Sequence, residues 1–345
     1  MNTIYLLCDY LGRFGSKHDD YPYRSGMDKG KINKYFGDNN YHSIFIPFTE
    51  VKFRANEMIG APVLYTSQED IGYHYKSYIE DIVYGLELAG ARMIPKYKYL
   101  RANNNKVFME ILRDQLDNEN IKNIKSYYCG TLEEAMDISE YLTYPIVVKG
   151  YGGAMGKNVA LAKDKVSLKR ILKTIAATRN YKEEFKEIVR SIKYEGYKNT
   201  STYRRKFILQ EFIPDLNNDW KIYIFGEKIY VFYRPVFKHR GIRASGGGYD
   251  NYYYGLNAKF PNDLFDYAYD IYDTLDTPFV SLDIAKDNMQ YYLLEYQLVY
   301  FGTAGLLKRY SSEYFVKHDD SWIHKSNHGD IEKIYVESVI EYLND

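Results

Sequence analysis

Short apolar runs alternate with one amphipathic stretch along the first hundred residues. Residues 3–8 read TIYLLC, residues 41–48 and 61–65 are two further β-rich runs, and 92–95 is a fourth. Between the last two, Ile79, Ile82, Val83, Leu86 and Ala89 recur at three- and four-residue spacing, and Gly90 stands at the expected helix end. Strand-length runs separated by helical periodicity fit an open α/β sheet. Residues 9–40, rich in Gly, Asp and Lys, read as loop. An N-terminal α/β domain is expected over 1–100.

The remainder mixes strands and helices in another way. Helical patterns are expected at 106–116, at 131–141, where Thr131 and Glu134 have capping-box spacing, at 262–275 and at 331–343. Strands are expected near Lys125, at 146–149, 159–162 and 207–213, and as two hairpins. One hairpin turns at Gly226-Glu227 and the other at Asp287-Asn288, between runs 280–286 and 291–296. Residues 164–206 are helical and strongly charged, and read as a solvated insertion rather than a nucleic-acid patch. A chain of 345 residues exceeds one ordinary core. Two α+β subdomains are therefore expected after the first domain, over 101–212 and 213–345.

Composition excludes more than it selects. Lys plus Arg equals Asp plus Glu at 46 each, so net charge gives no reason to expect nucleic acid or membrane as partner. Cys8 and Cys129 lack disulfide-framework and metal-type spacing, and read as small buried hydrophobes in a reducing, cytoplasmic setting. The apolar run before Cys8 is too short for a signal peptide, and no segment reaches the length of a membrane span. The 40 tyrosines fit either a stacking surface or a compositional bias shared with Asn, Lys and Ile.

Three segments carry chemistry. Residues 149–157 read KGYGGAMGK: a strand delivers Lys149, and Gly150, Gly152, Gly153 and Gly156 then free the backbone to approach a ligand. Amides of such a turn can cradle phosphate, with Lys149 and Lys157 supplying charge. The order is neither a Walker A loop nor a dinucleotide fingerprint. A plain hairpin turn remains the alternative. Asp283, Glu295 and Gln297 form the second segment. Period-two alternation puts Glu295 and Gln297 on one face, and a turn at Asp287-Asn288 brings Asp283 alongside. Two carboxylates and an amide oxygen suit magnesium with bound phosphates, against ordinary solvent-facing polar positions. The third segment is residues 208–214, ILQEFIP, followed by Asp219-Trp220-Lys221. It is either a hinge whose backbone reads an adenine edge or a simple strand end.

Lys106, Lys149 with its glycine loop, the Gln210-Glu211-Phe212-Ile213 stretch, and Asp283 with Glu295 and Gln297 resemble the ordered landmarks of the ATP-grasp superfamily. The order is similar to the ribosomal-protein glutamate ligase and D-alanine–D-alanine ligase branches, over residues 101–310. The resemblance implies an ATP-grasp fold, an α/β (α+β) chain whose two subdomains grip ATP with Mg2+. It implies that Lys106 and Lys149 contact the α- and β-phosphates, and that Gly152, Gly153 and Gly156 belong to a lid. Gln210, Glu211, Phe212 and Ile213 would line the adenine site, and Asp219 would meet the ribose, with Lys221 as the basic residue two further on. Arg234 and Arg243 would face the transferring phosphoryl group, and Asp283, Glu295 and Gln297 would hold magnesium. Two departures stand out: Gln297 replaces the usual Asn, and the segment after it, LVYFGTAG, lacks the usual proline-glycine ending.

The activity this implies is ligation. A carboxylate is activated as an acyl phosphate and joined to an amine, with release of ADP and phosphate. No Ser-His-Asp arrangement is required; His239, near the Arg243 loop, reads first as a surface histidine. The partners expected are a small carboxylate and an amine (amino acid, peptide or sugar acid), and the resemblance leaves a homodimer open. The alternatives are an ATP-grasp kinase and a non-catalytic ATP-binding regulator. An NAD-dependent oxidoreductase is weakened because residues 1–60 hold no GxGxxG.

Overall fold

The computed structural model describes residues 2–17, 25–53, 57–67, 74–152, 158–236 and 252–345. The chain divides into two compact units, one formed by residues 1–103, 115–121 and 216–345, the other by 104–114 and 122–215.

The first unit contains two sheets. Strands β1 (Asn2–Cys8), β2 (Tyr41–Pro47), β3 (Pro62–Tyr65) and β4 (Arg92–Ile94) form a wholly parallel sheet in the order β2-β1-β3-β4. A parallel sheet is covered on both faces, which explains why TIYLLC is apolar without alternation. Ile4, Leu6 and Cys8 enter one core, and Tyr5 and Leu7 the other. The second core is closed by Ile79, Val83 and Leu86 of α2 (Tyr75–Leu88), the periodic residues of the sequence.

Residues 9–40 depart from the expected loop. Helix α1 (Lys29–Asp38) forms there, capped by Asp28, which accepts from the Lys31 amide, and it buries Ile32 and Phe36. Only two apolar residues face inward, so the periodic signal was too thin to read.

The second sheet is antiparallel, in the order β13-β12-β9-β10-β14-β15, with β11 (Tyr253–Tyr254) added to β10. Its strands are β9 (Asn218–Phe225), β10 (Lys228–Pro235), β12 (Phe279–Lys286), β13 (Tyr291–Gln297), β14 (Glu313–His318) and β15 (Ser321–Ser326). Both expected hairpins are present. The β14–β15 hairpin was not foreseen, because only Phe315 and Val316 are buried in it and β15 is largely exposed. Helices α3 (Tyr97–Ala102), α8 (Leu264–Leu275) and α9 (Ile331–Asn344) complete this unit.

The second unit is built on a four-stranded antiparallel sheet, β5-β8-β6-β7: β5 (Ser126–Cys129), β6 (Ile146–Gly150), β7 (Val159–Ala162) and β8 (Phe207–Glu211). Helices α5 (Leu132–Ile138) and α6 (Lys165–Ile175) supply Leu132, Ala135, Leu168 and Leu172 to its core. Thr131 and Glu134 form the anticipated capping box. Helix α4 (Lys106–Gln115) belongs to the same unit, as does α7 (Tyr181–Lys193), which buries none of its residues. The charged stretch is thus two helices and connecting coil; α7 is solvated as expected, whereas α6 packs into the core of the unit. Both cysteines are free and buried. Among the described residues no helix is long and apolar enough to cross a membrane.

Candidate active site

In the first unit a cluster of charges is assembled by strand register. Asp219 and Lys221 lie two apart on β9 and so share a face. Across β9–β10, Asp219 pairs with Arg234, and across β9–β12, Lys221 pairs with Asp283. Across β12–β13, Asp283 pairs with Glu295 and Ser281 with Gln297, with a bulge just after Asp283. The side chains follow the ladder. Arg234 Nε donates to Asp219 Oδ1, Arg234 Nη2 lies 2.9 Å from Asp283 Oδ2, and Lys221 Nζ donates to Asp283 Oδ1 at 3.0 Å.

Asp219 and Arg234 are buried. Burial pushes the Asp219 carboxyl up to about 6, against the pull of Arg234, and the charge of Asp283 adds to the rise. Burial also disfavours ionised Asp283, but Arg234 and then Lys221 outweigh it and hold that carboxyl below the usual carboxylate range. Arg234 stays cationic because the two aspartates outweigh its desolvation. Asp283 is therefore a carboxylate at neutral pH. Arg234, expected to face a phosphoryl group, here lies against two carboxylates.

The second unit holds the described part of the glycine-rich segment, Lys149–Gly152 and Asn158. Lys149 sits at the end of β6, paired with Ile208 of β8 and Val159 of β7. Two residues on, the Tyr151 carbonyl accepts from the Lys106 amide at 2.8 Å, which fixes the start of α4 to the loop. A Cβ at Gly152 would stand 3.0 Å from Asn104 Oδ1 and 3.2 Å from its carbonyl, a tight fit that the bare backbone avoids. The Asn158 side chain donates through Nδ2 to the Gly152 carbonyl at 2.8 Å. Gly153, Gly156, Lys157, His239 and Arg243 lie outside the described residues.

Strand β8 ends at Glu211, so Phe212 and Ile213 follow the strand rather than extend it. Period two turns Gln210 inward and Glu211 outward. The buried Gln210 side chain donates to Ser126 Oγ at 3.0 Å, and Ser126 Oγ donates to Glu110 Oε2 at 2.9 Å. Glu110 pairs with the fully buried Arg113 at 3.2 Å. This network was missed in the sequence. Its signal was present: Lys106, Glu110 and Arg113 recur at helical spacing on the buried face of α4, where apolar residues are expected.

The sheet order, the glycine-rich segment between two antiparallel strands and the carboxylates on the β12–β13 hairpin define the class: the chain has the ATP-grasp fold. A RimK-domain ATP-grasp protein of Sphaerobacter thermophilus superposes with a TM-score of 0.52 at 12% identity, covering 98% of this chain and 99% of that one. The D-cycloserine synthetase DcsG gives 0.52 at 11% identity, covering 99% and 100%.

In sequence the chain is similar to alpha-aminoadipate–LysW ligases LysX. The Sulfolobus acidocaldarius enzyme is 25% identical over 180 residues, 52% of this chain and 56% of the relative. The Sulfurisphaera tokodaii enzyme is 25% identical over 216 residues, 61% and 66% respectively. The chain thus matches less than two thirds of the length of these relatives. No protein-family model matches it.

Proposed function

We propose that this protein is an ATP-dependent carboxylate–amine ligase. The observation that carries the reading is the register-built cluster of Asp219, Lys221, Arg234, Asp283 and Glu295, on the sheet that ends an ATP-grasp fold. Similarity to LysX ligases supports the direction of the chemistry. In the first step a substrate carboxylate oxygen attacks the γ-phosphorus of ATP. The bond to the bridging oxygen breaks, and an acyl phosphate and ADP result. In the second, an amine nitrogen attacks the acyl carbon, the carbon–oxygen bond to phosphate breaks, and the amine loses a proton.

Lys106, Lys149 and the Gly152 backbone are suited to hold phosphates, and the chain around 210–213 to hold the base. Asp283, Glu295 and Gln297 offer two carboxylates and an amide oxygen. No cluster of three or more His, Cys, Asp or Glu suited to a metal exists among the described residues. This donor set fits magnesium, which keeps several waters and binds through one or two carboxylates together with phosphates. When bound, magnesium supplies positive charge to the phosphate oxygens. Lys221 and Arg234 pair with Asp283 and are the protein's own cations on this face of the sheet. Asp219 fixes Arg234 in place.

The amine and acid are small molecules or peptide termini in this reading, and ATP is the phosphoryl donor. The test is ADP release with paired acids and amines, with hydroxylamine as trap. A hydroxamate supports the ligase. A stable phosphorylated product instead assigns a kinase, and ATP binding without ADP release under any pair assigns a regulator. Glu295→Ala should abolish ADP release and leave the melting temperature near wild type, and Lys149→Ala should weaken ATP binding by calorimetry.

A further inference from the structure

Helix α7 carries its apolar residues on the outside. Tyr181, Phe185, Ile188 and Ile192 fall at spacings of four, three and four, which aligns them along one stripe. They are 75%, 67%, 54% and 82% exposed, and none belongs to a hydrophobic core of its unit. The helix is nevertheless well specified. Asn180 caps it by accepting from the Glu183 amide, and Glu187 accepts from the Thr200 amide at 2.8 Å and the Tyr197 hydroxyl at 2.7 Å. On its acidic side Glu187 is thus held by the connecting loop, and Glu183 accepts from Lys186 at 2.7 Å. Lys182, Lys186 and Lys193 flank the stripe on the other side, by the same helical geometry.

Charge is segregated on a larger scale. Residues 163–206 carry 14 Lys and Arg against 5 Asp and Glu, and since the chain holds 46 of each, the remainder carries 32 against 41. Zero net charge conceals a segment of +9 opposed to −9. An apolar stripe with aromatic residues, bordered by lysines on a helix of low mean hydropathy, has the physical character of an interfacial helix. Lysine stems can lie along the apolar layer while their ammonium groups reach outward to phosphates. Lysines are point charges without the fork geometry that reads one carboxylate, so they suit a diffuse anionic surface better than a specific acidic groove.

We propose that α7 is a membrane-contact helix that docks this protein on an anionic lipid surface. The stripe enters the headgroup boundary, and the positive segment orients the molecule toward the leaflet. This reading does not depend on the ligase activity.

The full-length protein is mixed with vesicles of phosphatidylcholine, with or without phosphatidylglycerol, and sedimented. Binding is expected only with phosphatidylglycerol, and is expected to fall steeply as salt approaches about 1 M, where screening acts within about 3 Å. The double variant Phe185→Ser/Ile192→Ser is expected to bind about tenfold more weakly. Its helical content and melting temperature should stay as in wild type, because neither side chain is in a core. The proposal is overturned by absence of sedimentation with anionic vesicles, or by sedimentation that the double variant does not change. Binding to soluble polyglutamate, dependent on α7 and without vesicle binding, would assign the face to an acidic protein and overturn it as well.

Discussion

Arg234 and Asp283 form an ion pair of 2.9 Å although their strands are not neighbours. Strand β9 lies between β10 and β12, so the guanidinium spans a strand to reach the carboxylate. Asp219 and Lys221, on that intervening strand, complete a neutral set of two acids and two bases. Replacing Asp283 by Asn leaves Lys221 and Arg234 short of a counter-charge but retains Asp219. Asp283→Asn is therefore expected to fold, with a loss of about 1–3 kcal/mol in urea unfolding. ADP release should fall to background. Near-normal turnover in the folded variant would remove Asp283 from the reaction.

The buried pair Glu110–Arg113 supports a second prediction. Both side chains are about 1% exposed. Glu110→Ala takes a counter-charge from a buried guanidinium and should destabilise the fold, whereas the double change Glu110→Gln/Arg113→Met should cost less, since both charges are removed together. Urea denaturation of the two variants measures the difference. The same Glu110 carboxylate holds Ser126, which receives Gln210, so Glu110→Ala, which removes that acceptor, should also bind ATP more weakly by calorimetry.

How much of this was legible follows from the kind of signal each part leaves. Helix α2 and the capping box of α5 were readable because their information is local, in periodicity and in a three-residue spacing. The facing of Asp283 and Glu295 was readable because a tight turn fixes register. The reach of Arg234 past β9 was not, because strand order across a sheet is a long-range property. Glu110 and Arg113 were passed over because charged residues on a helix are ordinarily solvent-facing, and only the packing of α4 buries them.

Gly305 supplies a steric prediction. A Cβ there would overlap the Phe232 ring and stand 2.8 Å from Tyr223 Cε2, both in the core beneath β9 and β10. Neither ring can swing aside, because each is about 1% exposed and Tyr223 stacks on Phe301 at 5.7 Å. Gly305→Ala should cost about 1–3 kcal/mol through overpacking, a lower melting temperature being the readout. An unchanged melting temperature would mean that the segment 304–306 sits further from the sheet.

Glu187 holds the loop behind α7, and its carboxyl is lowered from 4.5 to about 2, chiefly by the Thr200 amide and then the Tyr197 hydroxyl. In the unfolded chain it would titrate at the ordinary value. A depressed folded pKa means that the contribution is complete above about 4.5 and is lost as pH falls toward about 2. Resonances of Thr200 and Tyr197 should therefore stay fixed down to about pH 4 and shift together below it. Glu187→Gln should flatten this response, since the amide oxygen still accepts but no longer titrates. If wild type and variant titrate alike in this window, another carboxylate governs the loop and the Glu187 contacts are incidental.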